Sequence, residues 1–106
     1  MSARDESGTR LPEGVIEAIG ELMAALADPK RIGMLEALRG GEASVQELAD
    51  ELDLTHRNAS HHAAILHRAG LLGRRRDGRS VFYAIEDWTA LWLIEQAARA
   101  LIGPDA

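Results

Sequence analysis

Residues 44–72 read SVQELADELDLTHRNASHHAAILHRAGLL and contain the start and stop signals of two consecutive helices. The first signal is a capping box. The Ser44 side chain can accept a hydrogen bond from the Glu47 amide, and the Glu47 carboxylate can accept one from the Ser44 amide. A short helix is therefore expected from about Val45 to Leu52.

The second helix of this stretch begins after another capping residue. Thr55 can accept a hydrogen bond from an unpaired amide of the first turn, and Gly70 stands where a left-handed C-terminal cap is needed. These signals predict a helix from His56 to about Ala69. The short connection Asp53-Leu54-Thr55 between the two helices is typical of a helix-turn-helix.

Two further helices are expected before this pair. Apolar residues recur at steps of three and four between Pro12 and Leu26, which is the spacing of one helical face. Asp28-Pro29 marks another helix start, because aspartate can cap the first turn and proline needs no N–H partner there. That helix is expected to end at Gly40-Gly41. The polar residues 1–11 are expected to form a flexible tail, which leaves 12–106 as one domain.

Beyond the helix pair the pattern changes to that of a β-hairpin. Leu72 to Arg76 and Ser80 to Ile85 have strand composition. Asp77-Gly78 between them is a strong hairpin turn signal, in which both turn positions would take positive φ. Apolar residues from Trp88 to Ile102 mark a last helix, ended by Gly103-Pro104. The whole order predicts a mainly α fold with a small β-hairpin wing, a winged helix-turn-helix domain of five helices.

The composition excludes several classes of protein. The chain has 106 residues, of which 46% are hydrophobic and 27% charged, so it can form one globular core. It has no cysteine, which excludes disulfides, thiolate metal ligands and thiol redox sensing. No apolar run is long enough to span a bilayer, and Met1 to Arg10 lack the apolar middle of a signal peptide. A cytoplasmic protein with no membrane partner is expected.

Charge is unevenly distributed along the chain. The whole sequence carries −5, yet His56 to Arg79 contains six arginines, one acid and all four histidines. That segment carries +5, which leaves −10 on the remainder. Such segregation within one small domain indicates an anionic partner, and double-stranded DNA is the partner that a helix-turn-helix favours. A basic surface that is merely solvated is the alternative.

Three segments resemble motifs of the ArsR/SmtB family of bacterial transcriptional repressors. They read LADPKRIGML at residues 26–35, SHHAAILHRAGLL at residues 60–72 and DGRSVFY at residues 77–83. The segments occur in the family's order and spacing, and the resemblance covers about residues 22–85. It implies a cytoplasmic bacterial homodimer, formed through the first and last helices, that binds an inverted-repeat operator.

A winged helix-turn-helix domain places the first turns of its recognition helix in the DNA major groove, while the wing contacts phosphates. Because Ala59, Ala63 and Leu66 share one helical face, the polar residues at the helix start should point away from the core. Arg57 is suited to a guanine, and one residue of the pair His61-His62 should face the groove while the other packs. The predicted DNA-binding residues are Thr55, His56, Arg57, Asn58, Ser60, His61, His62, Arg74, Arg75, Arg76, Arg79, Lys30 and Arg31.

The first and last helices carry more apolar residues than a small monomer is expected to bury. Trp88 and Trp92 form an aromatic stripe that is either core or a dimer interface. The predicted interface comprises Ile16, Ile19, Met23, Trp88, Leu91, Trp92 and Glu95. A two-fold dimer would present two recognition helices about 34–36 Å apart, which is one turn of DNA.

The sequence departs from the metal sites that the resemblance implies. Ser44 and Gln46 stand where the family's thiolate site has two cysteines, so arsenic and soft metals cannot bind by that route. Asp87 and Glu95 stand at the last helix without the histidines of the family's other site. Nickel or zinc, bound by mixed histidine and carboxylate ligands, is a candidate effector whose ligands the sequence does not identify. A different effector, or none, stays open.

Two functions are open from the sequence alone. The leading prediction is an effector-responsive homodimeric repressor, with no cofactor required for folding or DNA binding. The alternative is a winged-helix protein-interaction module without specific DNA readout, in which the acidic part of the chain binds a partner. An enzyme is not expected, because the chain has no nucleophile elbow, no phosphate-binding glycine loop and no carboxylate pair within a pocket motif.

Overall fold

The computed structural model describes residues 10–103, so most of the predicted flexible tail over residues 1–11 lies outside the described residues. Within them the chain forms five α-helices and three strands. In chain order these are α1 (Val15–Leu26), α2 (Pro29–Ala37), β1 (Ala43–Ser44), α3 (Val45–Leu52), α4 (His56–Arg68), β2 (Leu72–Asp77), β3 (Ser80–Ile85) and α5 (Thr89–Ile102). A 3-10 turn follows α2. This order confirms the winged helix-turn-helix predicted from the sequence.

Capping interactions begin the central helices where the sequence predicted them. Ser44 Oγ accepts from the Glu47 amide at 3.1 Å, and Glu47 Oε1 accepts from the Ser44 amide at 2.8 Å. Asp28 Oδ1 accepts from the Lys30 amide at 2.8 Å at the start of α2, where Pro29 is the first helical residue. That hydrogen bond is the main reason why the pKa of Asp28 is lowered. A cap of this kind contributes about 1 kcal/mol to helix stability.

The wing turn differs from the one predicted. In the antiparallel β2–β3 pair Asp77 lies opposite Ser80, so the turn residues are Gly78 and Arg79. Gly78 has φ of 63°, while Asp53 is the one non-glycine residue in the described part of the chain with positive φ. The prediction of an Asp77-Gly78 turn with two positive φ angles is therefore wrong. A positive φ at Gly78 and a negative φ at Arg79 match a type II′ turn, which takes glycine at its first central position.

A third strand extends the wing into a small sheet. β1 pairs antiparallel with β3, with Ala43 opposite Tyr83, and the strand order is β1-β3-β2. Since β1 leads directly into α3, this pairing fixes the helix-turn-helix against the wing.

The core lies between α2, α3, α4, the wing and α5. Its largest fully buried side chains are Met34, Leu35, Leu38, Leu48, Leu66, Leu72 and Leu91. Leu91 was predicted at the dimer interface, but it is only 2% exposed, and this prediction is wrong. Neighbouring residues on a helix point about 100° apart, so Leu91 packs inward while Trp92 is exposed. None of the helices in residues 10–103 has the length and apolar character needed to cross a membrane.

Candidate nucleic-acid interface

The first half of α4 presents polar side chains to solvent. Ala59, Ala63 and Leu66 are fully buried on one face of the helix, as predicted. The exposed residues at the other side of the helix start are Thr55, His56, Arg57, Asn58 and His61, and Ser60 is half-buried. Thr55 Oγ1 also accepts from the Asn58 amide at 3.0 Å and so caps the helix. Its hydroxyl hydrogen is still available to an acceptor such as a phosphate.

The arginines of the wing divide between the two faces of the sheet. Arg74 and Arg76 lie on the face of β2 that also carries the buried Tyr83 of β3, whereas Arg75 lies on the other face with Phe82. The Tyr83 face packs toward α4. Arg74 and Arg76 are therefore nearer to α4, the recognition helix, than Arg75 is.

A cleft separates the start of α4 from the wing. His56 and Ser60 line it from α4, and Arg74 and Arg79 line it from the wing. Gln46, in the first turn of α3, also lines this cleft and was not among the predicted residues. Its place within the capping box, in the first turn of α3, is the signal that could have identified it. The fold thus gathers polar and basic side chains from three separate elements around one opening.

Most arginines of the basic segment have no acidic partner within the described part of the chain. Among residues 10–103, no ion pair or side-chain hydrogen bond involves Arg57, Arg74, Arg76 or Arg79. The Lys30 ammonium at the start of α2 is likewise exposed and unpaired in this range. Exposed cations without an internal partner are available to neutralise phosphates.

Arg75 is an exception, because it is engaged within the chain. Its Nε and Nη2 donate to the two carboxylate oxygens of Glu42 at 2.8 and 2.7 Å, and its guanidinium lies 4.5 Å from the centre of the Phe82 ring. The hydrogen bond from Arg75 lowers the pKa of Glu42, and the same bond raises the pKa of Arg75. This bidentate pair uses two of the five guanidinium donors and neutralises the charge of Arg75 within the chain. Arg75 is therefore less available to a phosphate than the unpaired Arg74 and Arg76, and it is left out of the DNA contacts proposed below.

Arg31 turns inward, contrary to prediction, and His62 is the packed residue of the His61-His62 pair. The Arg31 side chain is only 13% exposed. Its Nε donates to the Ala25 carbonyl at 2.7 Å, and its Nη1 lies 3.2 Å from His62 Nδ1. Both residues are therefore removed from the predicted DNA contacts. The exposed His61 and the half-buried His62 show the division expected for this pair.

Exposed apolar side chains gather on α1 and α5. Trp88 and Trp92 are 54% and 58% exposed, and Ile16 is 66% exposed. The other large apolar residues that are exposed on these two helices are Ile19, Met23, Leu101 and Ile102. Leu101 and Ile102 were not predicted, although they continue the apolar pattern to the end of α5. This many exposed large apolar side chains on two helices indicate a protein interface.

A groove between α1 and α5 adds to this apolar surface. Met23 and Ala27 line one side of it, and Leu93, Ile94 and Ala97 line the other. At the edge of the surface, Glu95 accepts a hydrogen bond from Arg39 at 2.9 Å. That ion pair lies between exposed side chains, and the place of Glu95 in the dimer interface stays a prediction.

The described residues of one protomer do not form a nickel or zinc centre. No group of three or more histidine, aspartate or glutamate side chains within residues 10–103 is placed to bind a metal ion. Two of the positions considered from the sequence have structural roles. Ser44 Oγ caps α3, and Asp87 Oδ1 accepts from the Thr89 amide at 2.9 Å, which lowers the Asp87 pKa. The donor set within this part of a single protomer therefore does not fit either metal.

Comparison with known proteins agrees with the fold. A family model described as a helix-turn-helix domain matches residues 26–75. The chain is 37% identical over 95 residues to the HTH-type transcriptional repressor SmtB of Mycobacterium tuberculosis, which covers 90% of this chain and 70% of that protein. The crystal structure of an ArsR family transcriptional regulator is 34% identical, with a TM-score of 0.63, covering 76% of this chain and 93% of that chain.

One further solved structure shows the same fold at lower identity. It is the homodimeric winged helix-turn-helix DNA-binding domain of a Mycobacterium bovis protein, determined by solution NMR. It is 22% identical, with a TM-score of 0.73, and the match covers 88% of this chain and 89% of that chain.

Proposed function

The chain belongs to the ArsR/SmtB family of winged helix-turn-helix transcriptional regulators, and we propose that it acts as a homodimeric repressor of an inverted-repeat operator. Family membership makes it a DNA-binding transcriptional regulator and not an enzyme. To family membership we add three proposals, which concern the oligomeric state, the symmetry of the operator and the residues that contact DNA.

The observation that carries the proposal is the cleft between α4 and the wing, which is flanked by cations that are unpaired within residues 10–103. With α4 in the major groove, its exposed residues meet base edges, and Arg57 can donate two hydrogen bonds to one guanine. The wing and the start of α2 then contact the backbone. The proposed DNA contacts are Thr55, His56, Arg57, Asn58, Ser60, His61, Arg74, Arg76, Arg79 and Lys30, with Gln46 added from the structure.

The apolar surface of α1 and α5 supports the homodimer. A second copy of the chain would cover Trp88 and Trp92 and fill the groove beside Met23. A two-fold dimer binds half-sites that are related by the same two-fold axis, and with one DNA turn between its recognition helices it reads an inverted repeat. Ile16 and Ile19 belong to the proposed interface, whereas Leu91 does not.

A nickel or zinc effector stays a prediction of the sequence. Because residues 10–103 of one protomer do not supply a ligand set, a metal site would need further side chains from outside that part of the chain, such as those of a second subunit. Measuring the operator Kd with and without each metal tests this prediction. A change in Kd supports a metal effector, and an unchanged Kd removes nickel and zinc from the candidates.

A salt titration distinguishes the repressor from a protein-interaction module. We expect log K for duplex binding, measured by fluorescence anisotropy, to fall linearly with log salt, with a slope of about −0.9 per phosphate contact. Arg74→Gln should flatten that slope, whereas Arg68→Gln, which removes an arginine from the far end of α4, should not. Absence of duplex binding, or affinity that is independent of salt, would favour the interaction module.

A further inference from the structure

Arg31 joins three helices through a single guanidinium. It belongs to the first turn of α2, and its Nε and Nη2 donate to the carbonyls of Ala25 and Ala24 in the last turn of α1, at 2.7 and 3.4 Å. Its Nη1 lies 3.2 Å from Nδ1 of His62 on α4. The last carbonyls of a helix have no partner within the helix, and a cation there is favourable. The guanidinium therefore caps α1 and contacts α4 at the same time.

This contact fixes the protonation state of His62. A guanidinium has only N–H donors, so His62 Nδ1 must accept, and the ring must be neutral with its hydrogen on Nε2. Burial lowers the pKa of His62 from its usual 6.5. The Asp28 carboxylate, which also lies 3.6 Å from Arg31 Nη1, opposes this shift, and the smaller effects of Arg31, His61 and Lys30 lower the pKa further. From α1, the contact involves backbone carbonyls alone.

We propose that Arg31 is a positioning residue for DNA binding, which fixes α4 against the end of α1 through neutral His62, and that protonation of His62 weakens operator binding. This inference rests on the proposed function. The exposed apolar residues of α1 belong to the proposed dimer interface, and α4 carries the proposed base contacts. The placement of α1 against α4 therefore sets the separation of the two recognition helices in a dimer.

Protonation of His62 would break the contact for two reasons. Nδ1 would become a donor and could no longer accept from Arg31, and a second positive charge would face the guanidinium. The same reasoning predicts how the stability of the folded chain changes with pH. As pH falls below about 6.5, the unfolded chain binds a proton at this residue before the folded chain does. The His62 contribution to stability is therefore complete above that pH and decreases as pH falls toward the folded pKa.

The first test needs no DNA. Histidine side-chain NMR on the full chain should show His62 as the Nε2–H tautomer, titrating below the ordinary histidine value. In Arg31→Ala the His62 pKa should rise, because the facing cation is gone, and in Arg31→Lys it should remain low. An Nδ1–H tautomer, or a wild-type His62 that titrates at or above the ordinary value, would overturn the proposal whether or not the protein binds DNA.

The second test compares operator Kd from pH 5.5 to pH 8 for three proteins. His62→Gln keeps an acceptor for Arg31 but does not titrate, so the ratio of wild-type Kd to variant Kd isolates the protonation of His62. We expect this ratio to be constant near pH 8 and to rise about fivefold or more toward pH 5.5, the size of an ordinary coupling between two sites. His67→Gln is the control. The His67 ring contacts the Leu72 carbonyl at 2.8 Å and has no contact with Arg31 or His62. The operator Kd of His67→Gln should therefore change with pH as that of the wild type does.

The outcomes separate this inference from the proposed function. A flat ratio over the whole pH range, with tight operator binding throughout, overturns the role of His62 and leaves the repressor intact. Loss of duplex binding in all three proteins at every pH contradicts the repressor instead, and the NMR titration then decides the Arg31–His62 contact by itself.

Discussion

Arg57 stands in the first turn of α4, exposed and without an acidic partner among residues 10–103. If it donates two hydrogen bonds to a guanine, Arg57→Ala should cost about 1–3 kcal/mol of discrimination at one base position. Arg57→Lys keeps the charge but not the fork, so it should retain the salt dependence and lose the base preference. Kd values on duplexes substituted at single positions measure both effects. Equal base preference in the wild type and both variants would exclude Arg57 from base contact.

The side-chain partners of individual residues were the least predictable part of the candidate site. From the sequence, Arg31 at the start of α2 and Arg75 in the basic segment were both predicted to be exposed cations that contact DNA. Their partners His62 and Glu42 lie 31 and 33 positions away in the chain. Local spacing shows which face of a helix a residue occupies, but it does not show which distant side chain it meets. The exposure of the start of α4 follows from helical period alone and was correctly predicted.

At the scale of the elements, the wing offers a matched pair of arginines. Arg76→Gln removes a cation that has no partner within residues 10–103, so it should weaken binding to all duplexes alike and reduce the salt slope by about 1. Arg75→Gln removes a cation that is already paired with Glu42 and should change the slope much less. Anisotropy titrations over a series of salt concentrations measure both slopes. A larger loss in Arg75→Gln would contradict the assignment of the two faces of the wing.

The recognition helix depends on its N-cap. Thr55→Ala removes the acceptor of the Asn58 amide and should lower the free energy of unfolding by about 1 kcal/mol. Thr55→Ser keeps the hydroxyl and should restore most of that loss. Urea denaturation of the three proteins provides the comparison. Equal stability of the alanine variant and the wild type would show that the cap contributes nothing.

The elements were predictable where the signal is local. Capping residues mark the starts of α2, α3 and α4, and the structure confirms all three. The two-residue β1 was missed, since it has no periodicity of its own and exists through pairing with β3. The turn type was wrong because the sequence shows that a glycine is present but not which of the two turn positions it occupies.

At the scale of the whole molecule, the apolar surface of α1 and α5 is the proposed dimer interface. Trp92→Glu places a charge on this surface and should give a monomer, because burying an unpaired carboxylate is costly. Analytical ultracentrifugation measures the change. Glu51→Gln, an exposed substitution on α3, is the control and should remain dimeric. A monomeric wild type would contradict the proposed homodimer, and a dimeric Trp92→Glu protein would place the interface elsewhere.

The overall architecture followed from the sequence, but the division between core and interface did not. The sequence pattern of α5 identifies its apolar residues, but it does not show which of them are buried in the core and which are exposed. Leu91 is buried in the core, whereas Trp88 and Trp92 are exposed. Only the packing of α5 against the other helices makes this distinction. The separation of charge between His56–Arg79 and the rest of the chain is a property of the whole sequence, and together with the helix-turn-helix signals it predicts which segment faces DNA.

The most direct test of DNA reading by a two-fold dimer is selection from a random duplex library with the purified protein at moderate salt. We expect enrichment of an inverted repeat whose half-sites lie about one helical turn apart. The same selection with Arg57→Ala should return a repeat that is relaxed at one base position in each half-site. Failure to enrich any sequence, or enrichment of a single half-site without two-fold symmetry, would contradict the account.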